Sequence, residues 1–304
     1  YGDAPFALTA TKTGADATPA NLPKTFGSIA LWLDADDAST FTTSGNDVTA
    51  WNDKSGNARH ATGGGNAPNL NATGGPGGKR VVEIRSGEYL AVSGSFFAKD
   101  HFYVWKSPSA TWSGYGGALG HNPSSGASQR NSNYITQHNA TNFHGNQLPQ
   151  SVFKNGTYAA GSNFDIAPIN QYMVVRITVN DNDKGPYSSY QIGRLTGLQC
   201  NLDIAEIIAF STKLSDFDAD KIEGYLAHKW GLQGNLPVEH AYKGATPRTD
   251  FHYVSSDPSI LDLNGSSAII RKSGDVTITA HAPANLTGDT AMPATKTFSI
   301  AKAP

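Results

Sequence analysis

A single cysteine, Cys200, excludes any disulfide within the chain, so its fold must rest on packing and hydrogen bonds. Charge is also scarce. Asp, Glu, Lys and Arg make up 16% of the residues, below a typical soluble domain, and the formal net charge is −2. Without a basic field, recognition of nucleic acid or of an anionic membrane surface is excluded as a function class. The longest apolar stretches, such as Ile204 to Phe210, have the length of a strand and cannot span a bilayer. The Gly-x-Ser-x-Gly elbow, the Walker loop and the dinucleotide fingerprint are missing. Histidines do not fall at metal-ligand spacing either: His138 and His144 stand six apart, and His228 has no partner three or four residues away. The chain starts at Tyr1 without Met or a signal peptide, and reads as a segment of something longer.

What is present points to an all-β protein. Gly 32 and Pro 16 supply turns, and Trp 5, Tyr 12 and Phe 13 are spread along the chain. Thr, Ser and Asn replace charge as the polar surface, as suits strands and hairpins. Phe6, Leu8 and Ala10 alternate with Ala7, Thr9 and Thr11, and Val276, Ile278 and Ala280 share one face before a last strand with Phe298 and Ile300. Period-two alternation at both ends predicts antiparallel strands with one buried face. Between them, Val81–Ile84, Tyr172–Val179 and Asp203–Phe210 read as further strands. One helix is predicted: Ser215 caps it, Asp216 and Asp218 favour its positive end, and Gly231 ends it. Phe217, Ile222, Tyr225, Leu226 and Trp230 form its apolar stripe. That stripe is core packing in preference to a cofactor box.

Tyr1-Gly-Asp-Ala-Pro-Phe-Ala-Leu-Thr-Ala10 resembles the opening strand of the bacterial immunoglobulin-like repeats of giant adhesins. Tyr253-Val-Ser-Ser-Asp-Pro-Ser-Ile260, the Gly274 turn and Val276-Thr-Ile-Thr-Ala280 resemble the middle of the same repeat. Such pieces are ordinarily close in sequence. Their separation to opposite ends implies an insertion: a split Ig-like domain from residues 1–22 and 246–304, carrying a second domain at 23–245. Pro19, Pro23 and Pro247 fall where linkers are expected.

Three segments of the insert resemble the laminin-G-like, concanavalin A-like family of bacterial domains. They are Ile29–Ala38 with Trp51-Asn-Asp-Lys-Ser-Gly-Asn57 and His60-Ala-Thr62; Val81–Ile84 leading to Tyr89-Leu90; and Gln191–Gly193 with Asp203–Ile208 and Gly224–Leu232. The resemblance implies a jelly-roll sandwich with one edge helix. The stretch from Ser107 to Pro168 matches no family pattern, and variable loops are where a lectin-like sandwich carries specificity.

Calcium is expected, chiefly because relatives of this type use it. Asp53-x-Ser55-x-Asn57 sets oxygen side chains at alternate positions, with Asp34, Asp36 and Asp37 able to add carboxylates. Asp181-Asn-Asp183-Lys-Gly185 begins like a calcium loop, but no glutamate follows at the spacing of an EF-hand. The metal candidates are therefore Asp34, Asp36, Asp53, Asn57, Asp181 and Asp183. The other reading stays open for each: Asp and Asn before Gly are ordinary turn formers. For ligand contact the candidates are Trp112, Tyr115, His121, Asn122, Gln129, Arg130, Asn131 and Tyr134. Aromatic rings stack on sugars or peptide side chains, amides offer paired hydrogen bonds, and Arg130 can clamp a terminal carboxylate. A long glycine-rich surface loop is the plain alternative.

One glucanase family on this fold uses Glu-x-Asp-x-x-Glu, and Asn201-Leu-Asp203-Ile-Ala-Glu206 has that spacing. Asn at the nucleophile position cannot form a glycosyl ester, and without a bulge Asp203 and Glu206 face opposite sides of the sheet. The chain is accordingly expected not to be an enzyme. The resemblance implies an extracellular, bacterial cell-surface adhesin of the repeat-in-toxin kind. Its lectin-like module is expected to be monomeric and not membrane-embedded, and to bind a peptide or protein terminus, alternatively a glycan. Large surface proteins of this kind often avoid cysteine, so the lone Cys200 is no argument for a reducing compartment. A structural spacer is the third reading, and a glycoside hydrolase the last.

Overall fold

The apolar run Leu202–Phe210 forms the longest strand among the described residues, nine residues buried along their whole length. Alternation is absent because both faces are covered, and a continuous apolar run is what such a position selects. This computed structural model describes residues 6–7, 19–64, 66–85, 87–108, 116–121, 134–139, 142–144, 149–159, 163–165, 167–179, 190–195, 198–199, 201–240, 242–243, 252–264, 267–281 and 294–301. The chain divides into two units, one from Tyr1–Thr25 with Ala245–Pro304 and the other from Phe26–Gly244.

In the larger unit, Leu202–Phe210 pairs antiparallel with Asp100–Lys106 along one edge. Its other edge is shared. Ile29–Asp34 takes Phe210 to Glu206, and Val81–Ile84 takes Leu202 to Ile204. Beyond Asp100–Lys106 come Met173–Val179 and then Pro149–Lys154. A second run of antiparallel pairs links Asp47–Trp51, Ala61–Gly63, Leu90–Val92, Tyr190–Ile192, Gly116–His121 and Tyr134–Asn139. The two runs face each other across an aromatic interior. His101 and Tyr103, from the first, stand against Tyr190, from the second: the His101 and Tyr190 rings are 6.4 Å apart and the two tyrosine hydroxyls 3.4 Å. The architecture is an all-β jelly-roll sandwich with, among the described residues, one α-helix.

That helix, Asp216–Lys229, starts as its sequence dictates. The Ser215 hydroxyl accepts the Asp218 amide at 3.1 Å, Asp216 and Asp218 occupy the positive first turn, and Gly231 follows the end with φ +68°. Ile222, Tyr225, Leu226 and Trp230 are buried, and the helix packs on the Asp100–Lys106 and Met173–Val179 strands. A buried bidentate pair sits near its start. Arg176 donates to both Asp100 oxygens at 3.0 Å, and the Leu214 amide adds a bond to Asp100 at 3.2 Å. No helix among the described residues is long and apolar enough to cross a membrane.

The smaller unit holds two three-stranded antiparallel sheets. Phe6–Ala7 pairs with Ser267–Ile270, which pairs with Leu261–Asn264. In the other, Gly274–His281 is central between His252–Ser255 and Ala294–Ile300. Ile260, Leu261, Ala268, Val276 and Ile278 make its core, with Tyr253, Leu263, Phe298 and Ile300 packed around. Val276 and Ile278 thus face inward, as their alternation predicts. Leu8 and Ala10 lie outside the described residues.

Two outcomes test this packing. Gly224 is inside the helix, where Ala ordinarily gains about 1 kcal/mol. A methyl there would stand 2.5 Å from Tyr242 Cβ, so Gly224→Ala should instead destabilise by about 1–3 kcal/mol in urea unfolding. His101 is fully buried, and its Nε2 proton is donated to the Ala98 carbonyl while Nδ1 accepts from the Tyr103 hydroxyl at 2.8 Å. Burial holds its pKa down from 6.5 to about 4. The stability this neutral imidazole contributes is present above the unfolded value and is lost as pH falls through the window between the two. A loss of about 3 kcal/mol is expected across that window. His101→Gln should flatten this part of the stability–pH curve.

Candidate functional site

The Ile29–Ala38 and Trp51–Asn57 segments contribute Trp32, Asp34, Asp37 and Lys54 to a network built around Glu206. Cross-strand register sets Asp34 opposite Glu206. Glu206 is fully buried, and all its partners are donors. Its Oε1 accepts the Trp32 indole N–H at 2.7 Å and the Tyr225 hydroxyl at 3.4 Å. Its Oε2 accepts the Trp230 indole N–H at 2.6 Å and Lys229 Nζ at 2.7 Å. Lys229 also reaches Asp34 Oδ1 at 2.6 Å, and Lys54 takes Asp34 Oδ2 at 2.7 Å and Asp37 at 2.9 Å. An alternating chain of charge results: Asp37, Lys54, Asp34, Lys229, Glu206.

Burial pushes the Glu206 carboxyl up, and Lys229 opposes it. The bond from Ser39 and the ammonium of Lys54 hold Asp37 down at about 2. Burial alone would pull Lys54 down, but Asp34 and Asp37 outweigh it and its pKa is raised. The indole rings serve twice. Lys54 lies 4.6 Å from the Trp32 ring, while Lys79 and Lys229 lie 5.3 and 5.4 Å from the Trp230 ring.

The geometry bears directly on calcium. Asp34 offers both oxygens to ammonium groups, and Asp36 is bonded to Lys79 at 2.8 Å. Asp53 faces its own loop: Oδ1 accepts the Trp32 and Ser55 amides at 2.9 Å, and Oδ2 accepts the Ser55 hydroxyl at 2.7 Å and the Arg59 amide at 3.0 Å. Asn57 turns its amide nitrogen, a donor, to the Ile29 and Ala30 carbonyls at 3.0 and 3.3 Å. Protein donors thus already engage Asp34, Asp36, Asp53 and Asn57, four of the residues named for calcium. The loop is instead an edge cover. Lys54 N–H donates to the Trp32 carbonyl at 2.8 Å and Arg59 donates to the Ala30 carbonyl, so the free edge of the Ile29–Asp34 strand is closed. Asp181 and Asp183 lie outside the described residues.

The ligand candidates divide between two ends of one strand. Gly116–His121 pairs with Tyr134–Asn139 so that Gly120 faces Tyr134 and Gly116 faces Gln137. On its other side His121 faces Tyr190. In the sequence, residues 122–133 lie between His121 and Tyr134, and residues 180–189 lead to Tyr190. Asn122, Gln129, Arg130 and Asn131 belong to the first of these segments and lie outside the described residues, as do the side chains of His121 and Tyr134. Trp112 and Tyr115 precede Gly116, the opposite strand end, and also lie outside the described residues.

A bulge does occur in Leu202–Phe210, between Ile204 and Glu206. It sets Asp203 opposite Lys106 and Glu206 opposite Val104, two residues apart, so both carboxylates share one face. Asp203 is closed by Arg85 at 2.7 Å and Lys106 at 3.1 Å, as Glu206 is by Lys229. Neither Lys229 nor Lys54 was singled out from sequence as a site residue. The available signal was an ionisable residue inside an apolar run, Glu206 among Ile204–Phe210, which demands a buried partner.

No family model matches the chain, and no curated protein does. Solved structures show remote likeness only. Trypanosoma rangeli sialidase has TM-score 0.42 and 10% identity, over 74% of this chain and 36% of that one. An α-L-arabinofuranosidase has TM-score 0.42 and 12% identity, over 60% and 51%. The binding domain of botulinum neurotoxin DC, solved with rat synaptotagmin II, has TM-score 0.41 and 12% identity, over 86% and 64%. The chain thus spans about a third of the sialidase and half of the arabinofuranosidase. Some of these remotely similar structures are enzymes, so the expectation that the chain is not one is withdrawn. The physical reason is general: a sandwich frame hosts catalytic and binding sites alike, so the frame cannot exclude either.

Lys229→Met would leave Glu206 and Asp34 without their shared cation. It should cost about 3–5 kcal/mol in denaturant unfolding. Lys54→Met, which leaves Lys229 in place, should cost less; equal losses would show that Lys229 is not the central link.

Proposed function

We propose that the chain is the ligand-binding part of an extracellular bacterial surface adhesin, and that it recognises a peptide or protein terminus on a target cell. In this reading residues 26–244 form a lectin-like head, and the smaller unit is an Ig-like mount within a longer repeat-in-toxin chain. The observation that carries the reading is the strand register, which sets His121 beside Tyr190 and Gly120 beside Tyr134. His121, Tyr134 and Tyr190 are thus close in the sheet, and in the sequence they adjoin the segments that carry Gln129, Arg130, Asn131, Asp181 and Asp183. A guanidinium, several amides and two carboxylates carried by these segments suit an extended peptide ending in a carboxylate. Calcium enters at Asp181 and Asp183, since the Asp34 and Asp53 groups are already committed to protein donors. A glycan ligand would instead use Trp112 and Tyr115 as a stacking platform.

A library of peptides with free C-termini and a glycan array, each run with calcium and with chelator, distinguish these ligands. Peptide binding lost with chelator, and weakened about 10- to 100-fold by Arg130→Ala, is the expected result. Glycan binding that survives Arg130→Ala would replace the peptide by a sugar. Silence on both surfaces would leave a structural spacer and end the proposal.

A further inference from the structure

The second turn of the helix carries two carboxylates that the network around Glu206 does not use. Asp220 and Glu223 are three residues apart, so they lie side by side on one face of the helix. His240 approaches them from the chain that follows the helix. The ligand atoms of these three residues all lie within 4.8 Å of one another. Glu223 is 2% exposed and His240 8%, while Asp220 is partly open.

The buried pair is poorly served by what surrounds it. His240 Nε2 is buried without a hydrogen-bond partner among the described residues, although Glu223 Oε2 is only 3.5 Å away. That separation is too long for a good hydrogen bond. It is close to the ~3.3 Å between two ligands of a tetrahedral ion whose bonds are about 2 Å. Burial pushes the Glu223 carboxyl up, and His240 and Arg176 act against it. Arg176 is itself committed to Asp100. The ring is wedged in place: a methyl on Gly156 would stand 2.7 Å from His240 Cδ2.

We propose that Asp220, Glu223 and His240 bind a divalent d-block cation of the zinc or cobalt class, fastening the helix to the Gln233–Lys243 segment. One imidazole with two carboxylates suits such an ion, whereas calcium takes oxygen ligands alone. The open side at Asp220 leaves a coordination position for water. Protons balance as follows. His240 Nδ1 accepts the Tyr242 amide at 3.2 Å, so the imidazole proton starts on Nε2. Coordination at Nε2 moves that proton to Nδ1 and opens the long Tyr242 bond, and any proton on Glu223 is released to solvent. This site is independent of the ligand proposed above, because Asp220, Glu223 and His240 belong to neither segment invoked there.

The test uses the untagged, chelator-stripped full chain titrated with cobalt(II). Visible d–d absorption saturating at one equivalent, displaced by zinc, is expected, together with a shift of the Tyr242 amide resonance. Glu223→Gln and Asp220→Asn should each weaken cobalt binding by at least about 10-fold. Asp220 is only partly buried, so its variant keeps the test valid if loss of Glu223 prevents folding. A wild-type chain without cobalt bands, or bands unchanged in Asp220→Asn, would overturn the site. So would displacement of cobalt by calcium at equal concentration.

Discussion

The carboxylate of Glu206 is the constraint around which the larger unit is arranged. A fully buried anion is tolerated only when its oxygens are filled by donors, and four side chains meet that demand. Those donors come from different parts of the chain: Trp32 from an edge strand, and Tyr225, Lys229 and Trp230 from the helix and its end. Meeting the need of one carboxylate therefore fixes the edge strand and the helix C-terminus together on the central strand. Lys229 extends the constraint to Asp34, and Lys54 extends it to Asp37 and the covering loop. Such a network contributes more to uniqueness than to raw stability, because an apolar replacement of the whole set could be as stable while specifying the arrangement less well.

Much of the fold was legible because it depends on local signals. The Tyr172–Val179 and Asp203–Phe210 runs, the Ser215 cap and the Gly231 stop each act within a few residues, and each appears where its pattern put it. Pairing between distant residues was not legible. Asp34 and Lys229 are joined only after the helix has docked, and no periodicity encodes that contact. The Asp53-x-Ser55-x-Asn57 pattern shows a different difficulty. The same oxygens that ligate calcium also accept backbone amides in a tight turn, and only the direction of the surrounding N–H groups decides between them. Here four donors converge on Asp53. The bulge at Ala205 was equally hidden, since an extra residue in an apolar run leaves no compositional mark.

The proposed recognition end and the charge network occupy different regions of the same unit, and their sequences obey different constraints. Around Glu206 every polar atom is matched by another protein atom, so substitution there carries a folding cost. A frame of this kind can hold its shape while the attached segments change, which is how one sandwich comes to serve binding in one protein and hydrolysis in another.

The smaller unit is assembled from both ends of the chain, and this has a mechanical side. Tension applied between the first strand and the last is borne by the pairing of Phe6–Ala7 with Ser267–Ala268 and by the longer ladder between Gly274–His281 and Ala294–Ile300. The intervening 219-residue unit, from Phe26 to Gly244, lies in sequence between those strands. The weakest described link of the smaller unit is the two-residue pairing at Phe6 and Ala7. Under such tension the two-residue pairing would be the first of these ladders to yield, and the seven-residue ladder of Ala294–Ile300 would outlast it.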